Sequence, residues 1–378
     1  MRITGGRVLT QAGLREAAIQ VEGELIAGLD MDGGGPCLDA GGCLVLPGFL
    51  DLHTHGAAGV DVNAADSQGL RNIGRFFASQ GVTGWLCSIL TDTEEQTLWC
   101  IQQARQVIGS AYDGAALLGI HLEGPCLSPD YKGAMPEHLL MKRADAALFE
   151  KYQRAAGGAI KYVTLSPEVE GVPQLIPRLK ELGIKAAIGH SGADYAAAMA
   201  CVEAGAVSGT HVGNAMRLFH QHEPAIFGAV LESGVFCEAI CDGRHLHPGS
   251  VRLFLKAKGW DRVVAVTDSI MAAGLPDGRY KLGVNDVDVV DGDAMLAGGG
   301  ARAGSTLTMI QALRNLVRFT GRPAWECCRL MTANPAALMG WDSKGAIAPG
   351  KAADLVILDR ELNVRHTFVG GRLVYSAP

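Results

Sequence analysis

Two histidines one residue apart, His53 and His55, follow an apolar run at residues 44–50. Side chains at positions i and i+2 of a β-strand point to the same face, so both imidazoles are expected to project together from the end of a buried strand. Two neutral imidazoles directed at one point form half of a metal site. The alternative is that the pair caps a strand and forms hydrogen bonds with solvent, and a lone His-x-His pattern does not decide between the two.

Further candidate ligands follow the ends of later strand-like segments. They are Glu123, His190, His211, Asp242, His245 and Asp268. Histidine and carboxylate are the ligands that divalent first-row metal ions prefer, and no cysteine belongs to the set. Taken alone, His190 fits a core histidine, and Glu123 or Asp268 fits the cap of a following helix. Their joint position at strand ends favours a metal site, to which His121 is either a supporting partner or a nearby core residue.

A divalent metal at this position predicts hydrolysis. Such an ion lowers the pKa of bound water from about 15.7 towards 7, supplies hydroxide at neutral pH and polarises a substrate carbonyl. Asp268, after the last of these strands, is placed to take the proton of the water and to pass it to a leaving nitrogen. The combination suits hydrolysis of an amide.

Eight apolar segments of strand length are expected to position these residues. They lie at 44–50, 84–90, 116–122, 160–165, 184–188, 206–210, 235–240 and 263–266. Helices are predicted between most of them, at 67–80, 93–109, 171–182, 195–203 and 249–258. Apolar strands that alternate with helices form parallel sheets, and eight such units predict an α/β fold with a (β/α)8 TIM-like barrel, whose strand carboxyl ends carry the active site. An open doubly wound sheet is the alternative.

The two chain ends differ from this pattern. Residues 1–46 and 345–378 have strand character with glycine turns, and we expect them to form one discontinuous small β-sandwich domain beside a hydrolase barrel at 47–344. Residues 275–300 are rich in Gly and Asp and predict a hairpin and a loop. Helices are expected at 306–319 and 323–339, with Pro323 in the first turn of the second.

The composition argues against several classes of function. The net charge is −6 and the basic residues are not clustered, which argues against a nucleic-acid partner. No apolar stretch approaches the roughly 20 residues of a membrane span, so no membrane partner is expected. The N-terminus lacks the order of a signal peptide, and the ten cysteines include no Cys-x-x-Cys pair. Reduced thiols and a cytoplasmic location are therefore expected.

The motifs of the chain resemble those of the amidohydrolase superfamily and, more narrowly, of the N-acetylglucosamine-6-phosphate deacetylases. The superfamily pattern Pro-Gly-x-x-Asp-x-His-x-His lies at 47–55. Leu-Glu-Gly-Pro at 122–125 and Thr-His-x-x-Asn-Ala-Met at 210–216 are specific to the deacetylases. Gly-His-Ser, Val-Thr-Asp and a closing Gly-Lys-Ala-Ala-Asp-Leu-Val extend the resemblance over nearly the whole chain.

The resemblance implies a role for each matching residue. The main metal ligands of the family match Glu123, His190 and His211, and the second-metal pair of some members matches His53 and His55. One or two divalent ions are therefore expected, zinc first, with iron, manganese or cobalt as alternatives. Asp268 matches the catalytic acid and base.

The resemblance also implies substrate contacts. Asn214 and Ala215 match the pair that holds the sugar phosphate. His245 matches a phosphate contact that reaches in from the neighbouring subunit of a homodimer, and Leu307 matches a backbone position that lines the substrate.

Two positions depart from the family pattern. His222 stands where the family has a phosphate-binding arginine, and Met135 stands where it has a substrate-contacting histidine. An imidazole does not reproduce the bidentate contact of a guanidinium with phosphate. A charge-assisted bond is worth about 1.5–3 kcal/mol, or about one to two decades of affinity. Candidates for compensation are Arg244, Arg217 and His138.

These observations predict metal-dependent hydrolysis of the N-acetyl amide of an amino-sugar 6-phosphate, in which N-acetylglucosamine-6-phosphate gives glucosamine-6-phosphate and acetate. The two departures leave a different or unphosphorylated N-acyl amino sugar as the alternative substrate. A non-catalytic scaffold is disfavoured, because such relatives lose metal ligands or the acid/base and this chain retains the whole set.

Overall fold

The central element of the protein is an eight-stranded parallel sheet, seen in a computed structural model that describes residues 1–31 and 33–378. Its strands follow the order of the chain: Phe49–Asp51, Val82–Leu90, Ala116–Glu123, Ile160–Leu165, Lys185–Ile188, Ser208–Gly209, Phe236–Ile240 and Val263–Val266. Beyond their ends, the first and last strands meet, since the N–H of Asp268 donates to the carbonyl oxygen of His53 at 2.8 Å. Thr54 and Ser269 form a parallel bridge at the same seam. The TIM-like barrel is confirmed. An open doubly wound sheet is excluded, because the two edge strands of such a sheet lie apart, whereas the first and last strands meet here.

Helices surround the barrel. They are Ser67–Ser79, Glu94–Arg105, Ala146–Ala155, Val172–Glu181, Tyr195–Ala204, Ala225–Glu232, Pro248–Lys258 and Met309–Thr320. Several begin at a side chain that accepts a backbone N–H, for example Asp66, Thr93 and Asp194. The sequence patterns did not predict Ala146–Ala155 or Ala225–Glu232. The second of these is apolar almost all round, so it lacks the period that identifies a helix.

The predicted strand at 44–50 was wrong in one respect, because it is two strands in two different sheets. Leu44–Pro47 belongs to a six-stranded sheet of the chain ends, and Phe49–Asp51 opens the barrel. Gly48 lies between them, where a Cβ atom would be 2.1 Å from Cγ2 of Thr83. Only a residue without a side chain allows this close approach.

Strands from both chain ends form the small β domain. The six-stranded sheet has the order Arg372–Ser376, Val364–Val369, Leu355–Leu358, Leu44–Pro47, Arg7–Thr10, Gly13–Glu16. A four-stranded sheet has the order Leu25–Leu29, Ile19–Glu22, Arg2–Thr4, Cys37–Asp39. Ile3, Ile26 and Phe368 belong to the shared apolar core. The sandwich of both ends is confirmed, while its boundaries at 46/47 and 344/345 stay a prediction.

Two segments after the eighth strand differ from the prediction. Residues 275–300 contain a three-stranded antiparallel sheet, Gly278–Leu282, Asn285–Val290 and Asp293–Leu296, in place of one hairpin and a loop. The helix predicted at 323–339 is interrupted and consists of Ala324–Cys327, a 3-10 turn at Cys328–Met331 and Ala333–Met339. Pro323 precedes the first of these as its N-cap. In the described ranges, no helix is long and apolar enough to cross a membrane.

Candidate metal centre and active site

Six predicted side chains converge at the carboxyl ends of the barrel strands, and Glu123 lies at their centre. Its Oε1 atom is 3.3 Å from Nε2 of His53, 3.0 Å from that of His190 and 3.2 Å from that of His211. Its Oε2 atom is 3.1 Å from Nε2 of His55. Oδ1 of Asp268 lies 3.2 Å from the same His55 nitrogen. All six residues are buried.

The histidine nitrogens that face one another are suited to a metal ion. Nε2 of His190 lies 3.1 Å from Nε2 of His211, and the Nε2 atoms of His53 and His55 are also 3.1 Å apart. Nδ1 of His55 donates to the carbonyl oxygen of Ser88 and Nδ1 of His190 donates to that of Tyr131. A carbonyl oxygen is only an acceptor, so in neutral rings these bonds place the proton on Nδ1 and the lone pair on Nε2. Lone pairs directed at a common point are what a metal ion requires.

In the absence of a metal ion, the carboxylates of the site favour positive charge on the imidazoles. Burial lowers the pKa of His55, but the carboxylates of Glu123 and Asp268 more than offset this effect and raise it to about 9. Burial raises the pKa of Asp268, yet the facing imidazoles of His53 and His55 lower it to about 2. Two carboxylates in a dry site therefore require compensating positive charge.

The ligand atoms fall into two overlapping groups. His53, Glu123 and His211 have atoms within 4.8 Å of one another, and so have His53, His55 and Asp268. Nitrogen and carboxylate oxygen ligands at this spacing fit a divalent ion in each group.

Backbone strain is concentrated at the same residues. His190, His211 and Asp268 have positive φ angles of 48°, 26° and 48°. Such conformations cost on the order of 1–3 kcal/mol each for residues other than glycine, and they persist where the surrounding structure enforces them. They occur where the chain leaves its strand and turns the side chain towards the centre of the rim.

Glu238 supports the centre from below and was missed by the sequence analysis. Its Oε2 atom lies 3.3 Å from Nδ1 of His53 and accepts the backbone N–H of His211 at 3.2 Å. Its Oε1 atom accepts the hydroxyl of Tyr162 at 2.6 Å. A single acidic residue in the apolar strand Phe236–Ile240 was the available signal, because a buried carboxylate requires partners.

His121 lies beside the centre in a buried hydrogen-bond chain. Its Nδ1 atom is 2.8 Å from Oγ of Ser88, and its Nε2 atom is 2.9 Å from Oγ1 of Thr164. Its ring contacts that of His53, with a centroid distance of 4.6 Å. Both ring nitrogens have hydroxyl partners, so His121 packs against a candidate ligand and is not one of the converging groups.

A cavity of about 380 Å³ opens above the centre. Four of the predicted substrate residues line it, namely Met135, Asn214, Ala215 and His245. His245 is oriented by Asp242, whose Oδ2 atom accepts from its Nδ1 at 2.6 Å. This histidine lines the cavity of its own chain, and its contribution across a subunit interface, which the resemblance implied, stays a prediction.

Three predicted substrate residues lie outside the lining of this cavity in the described chain. The side chain of His222 is exposed, and that of Arg244 contacts the carbonyl oxygen of Asp291. Leu307 is buried, and its N–H donates to Oγ of Ser305. Arg217 and His138, the other candidates for compensation, are exposed and do not line the cavity either. Residues that line it without having been predicted include Tyr131, Leu282 and Arg302.

Known proteins are similar to this chain in both sequence and fold. The profile of the Amidohydrolase family matches residues 44–374. The N-acetylglucosamine-6-phosphate deacetylase of Bacillus subtilis (strain 168) is 37% identical over 337 residues, which cover 88% of this chain and 85% of the relative. The N-acetylgalactosamine-6-phosphate deacetylase of Escherichia coli O157:H7 is 35% identical over 332 residues, 87% of each chain.

A solved structure extends the similarity to the whole fold. It is that of a mutant N-acetyl-D-glucosamine-6-phosphate deacetylase from Mycobacterium smegmatis in complex with N-acetyl-D-glucosamine-6-phosphate. The two structures superpose with a TM-score of 0.91 at 34% identity, over 100% of this chain and 99% of the other. The chain therefore belongs to the amidohydrolase family and, within it, to the N-acetylglucosamine-6-phosphate deacetylase group.

Proposed function

We propose that this protein hydrolyses the N-acetyl amide of an amino-sugar 6-phosphate, and that N-acetylglucosamine-6-phosphate gives glucosamine-6-phosphate and acetate. The observation that carries the proposal is the convergence of four histidines, Glu123 and Asp268 on one buried point below the cavity. The deacetylases that are 34–37% identical to this chain support the choice of substrate.

The histidines and Glu123 hold a divalent metal ion in this proposal. Glu123, His190 and His211 are the main ligands, and His53 and His55 provide a second position. Zinc is the proposed ion. When bound, such an ion supplies Lewis acidity towards water and the amide carbonyl.

Asp268 acts as general base and then as general acid. Its carboxylate oxygen, 3.2 Å from Nε2 of His55 and 3.6 Å from Nε2 of His53, accepts the proton of the attacking water. It then delivers that proton to the amide nitrogen as the carbon–nitrogen bond breaks. Its position at the barrel seam, hydrogen-bonded through its N–H to the His53 carbonyl oxygen, keeps it next to the metal ligands.

The other cavity walls position the substrate. Asn214, Ala215 and His245 line the cavity, and the phosphate is proposed to bind against them. Met135 belongs to the same apolar cluster as Leu282, and both residues line the cavity.

A homodimer is part of the proposal. Leu218 and Phe219 are 61% and 56% exposed in the loop after the Asn-Ala-Met motif, and they provide apolar surface for contact with a second copy. The molar mass in solution, measured by analytical ultracentrifugation, tests this part.

One assay tests the reaction and the substrate together. Acetate release is measured from N-acetylglucosamine-6-phosphate, N-acetylglucosamine and N-acetylgalactosamine-6-phosphate with the zinc-loaded protein. We expect release to be fastest from N-acetylglucosamine-6-phosphate. Zinc-loaded protein that releases no acetate from any of the three would contradict the proposal.

A different amino sugar is the second candidate substrate, and Met135 favours it. This buried, apolar side chain lines the cavity where the family pattern has a histidine. The Escherichia coli relative that bears the name of the galactosamine epimer is nearly as similar, at 35% identity. Faster release from the galactosamine substrate, or from the unphosphorylated sugar, in the same assay would establish this candidate.

A further inference from the structure

The rim of the active-site cavity carries a guanidinium group that the sequence motifs did not single out. Arg302 lines the cavity together with Ala215 and His245, and its side chain is 40% exposed. Its backbone is held against the strand Asp293–Leu296, because the neighbouring N–H of Ala303 donates to the carbonyl oxygen of Ala294 at 3.0 Å. Arg302 is therefore positioned by the three-stranded sheet that covers one side of the barrel mouth.

A carboxylate fixes the plane of this guanidinium. Nε and Nη2 of Arg302 donate to Oδ1 and Oδ2 of Asp293, both at 2.9 Å. This bidentate contact uses two of the five N–H donors of arginine. Among residues 1–31 and 33–378, Nη1 has no hydrogen-bond acceptor. One edge of a pre-oriented guanidinium is thus left for a ligand.

Two guanidinium groups contact the carboxylate of Asp293. Nη1 of Arg244 lies 3.7 Å from Oδ2 of Asp293, so two guanidinium groups face one carboxylate. Asp242 contacts Nδ1 of His245 at 2.6 Å and makes no ion pair with Arg302 in the described chain. The free edge of the Arg302 guanidinium therefore remains the donor that an anion can meet at this corner of the cavity.

The residue that occupies the family's arginine position is a histidine. In the described chain, His222 and Arg244 do not line the cavity of their own copy. Within the part of the chain that the structure describes, Arg302 is the only arginine or lysine among the lining residues. We propose that Arg302 binds the anionic group of the substrate, a phosphate monoester, and replaces the arginine that is absent at position 222. This inference rests on the proposed deacetylase function and deepens it.

The first test substitutes Arg302→Met, which keeps the aliphatic stem and removes the charge and the donors. We expect kcat/KM for N-acetylglucosamine-6-phosphate to fall by about 10- to 100-fold, the range for one charge-assisted contact. We expect kcat/KM for N-acetylglucosamine to stay within about twofold of the wild type, because that sugar offers no anion to the guanidinium. Arg302→Lys retains the charge without the planar guanidinium, so its kcat/KM for N-acetylglucosamine-6-phosphate should lie between those of the wild type and Arg302→Met.

Arg279 provides a matched control on the same sheet. It makes a bidentate contact with Asp288, at 2.7 and 3.1 Å, and does not line the cavity. Arg279→Met should leave the preference for the phosphorylated sugar unchanged. An equal fall in both kcat/KM values for Arg302→Met would mean a structural role and would overturn the proposal, as would an unchanged phosphate preference.

A binding measurement separates this inference from the proposed function. Calorimetric Kd values for glucosamine-6-phosphate and glucosamine are compared in the wild type, Arg302→Met and Arg279→Met. Loss of phosphosugar binding in Arg302→Met alone supports the inference even if the wild type releases no acetate, in which case only the proposed function fails. A wild type that deacetylates without preferring the phosphate, or that binds both sugars equally, overturns the assignment of Arg302 while the deacetylase activity stands.

Discussion

Glu238 on the seventh barrel strand and His53 after the first form a buried pair, with Oε2 of Glu238 3.3 Å from Nδ1 of His53. This contact directs the opposite ring nitrogen, Nε2, towards Glu123. The hydroxyl of Tyr162 donates to the second oxygen of Glu238 and fixes the carboxylate. Partners of this kind orient metal-binding imidazoles and raise their basicity.

We expect Glu238→Gln to weaken metal binding by about 10- to 100-fold, because the neutral amide no longer stabilises His53 in its ligating orientation. Competition with a chelating dye measures the affinity. Glu232 is a matched control, since it accepts a hydroxyl from Tyr195 at the surface, and Glu232→Gln should bind metal as the wild type does. Wild-type affinity in Glu238→Gln would show that the contact has no such role.

Asp268→Asn should reduce kcat by about 10²- to 10⁴-fold, because an amide neither accepts the proton of water nor delivers it to the amine. Glu123, His190 and His211 remain in this variant, so the main metal position should stay filled. Single-turnover acetate release, together with metal content by mass spectrometry, measures both properties. A metal-loaded variant with near wild-type kcat would remove Asp268 from its assigned role.

Removal of the metal with a chelator should abolish acetate release and lower the melting temperature. The buried carboxylates of Glu123 and Asp268 then lose the positive charge of the ion and are compensated by the imidazoles alone. A ligand at 100 times its Kd stabilises the native state by about 2.7 kcal/mol, so added zinc should restore the melting temperature as well as the activity. Calorimetry and the acetate assay follow the two recoveries. Full activity in metal-free protein would contradict a metal-dependent reaction.

Gly48→Ala should destabilise the protein by about 1–3 kcal/mol, the usual cost of overpacking. The added Cβ would lie 2.1 Å from Thr83 in the wall of the barrel. Gly234→Ala is the control, because a Cβ there meets nothing within 4 Å, and its effect should be within about 0.5 kcal/mol. Urea unfolding measures both free energies. Equal stabilities would mean that the chain relaxes around position 48.

The alternation of apolar strands with helices was sufficient to predict the barrel, because strands buried on both faces are nearly continuous apolar runs. The residues at the ends of those strands then predicted the centre around Glu123. Parallel strands bring their carboxyl ends to one rim, so residues far apart in the chain, such as His55 and Asp268, lie 3.2 Å apart. The sequence by itself therefore determined the fold class and the six side chains that converge, whereas the other two candidate ligands, Asp242 and His245, pair with each other.

Tertiary structure decided the features that depend on contacts between distant segments. The break at Gly48 is set by Thr83 on the next strand, and the role of Glu238 is set by His53 and Tyr162. The place of Arg302 at the cavity rim depends on the antiparallel sheet that ends with Asp293–Leu296. None of these contacts produces a periodic pattern in the sequence. Each is made by side chains that come close only when the barrel closes and the sheet packs over its mouth.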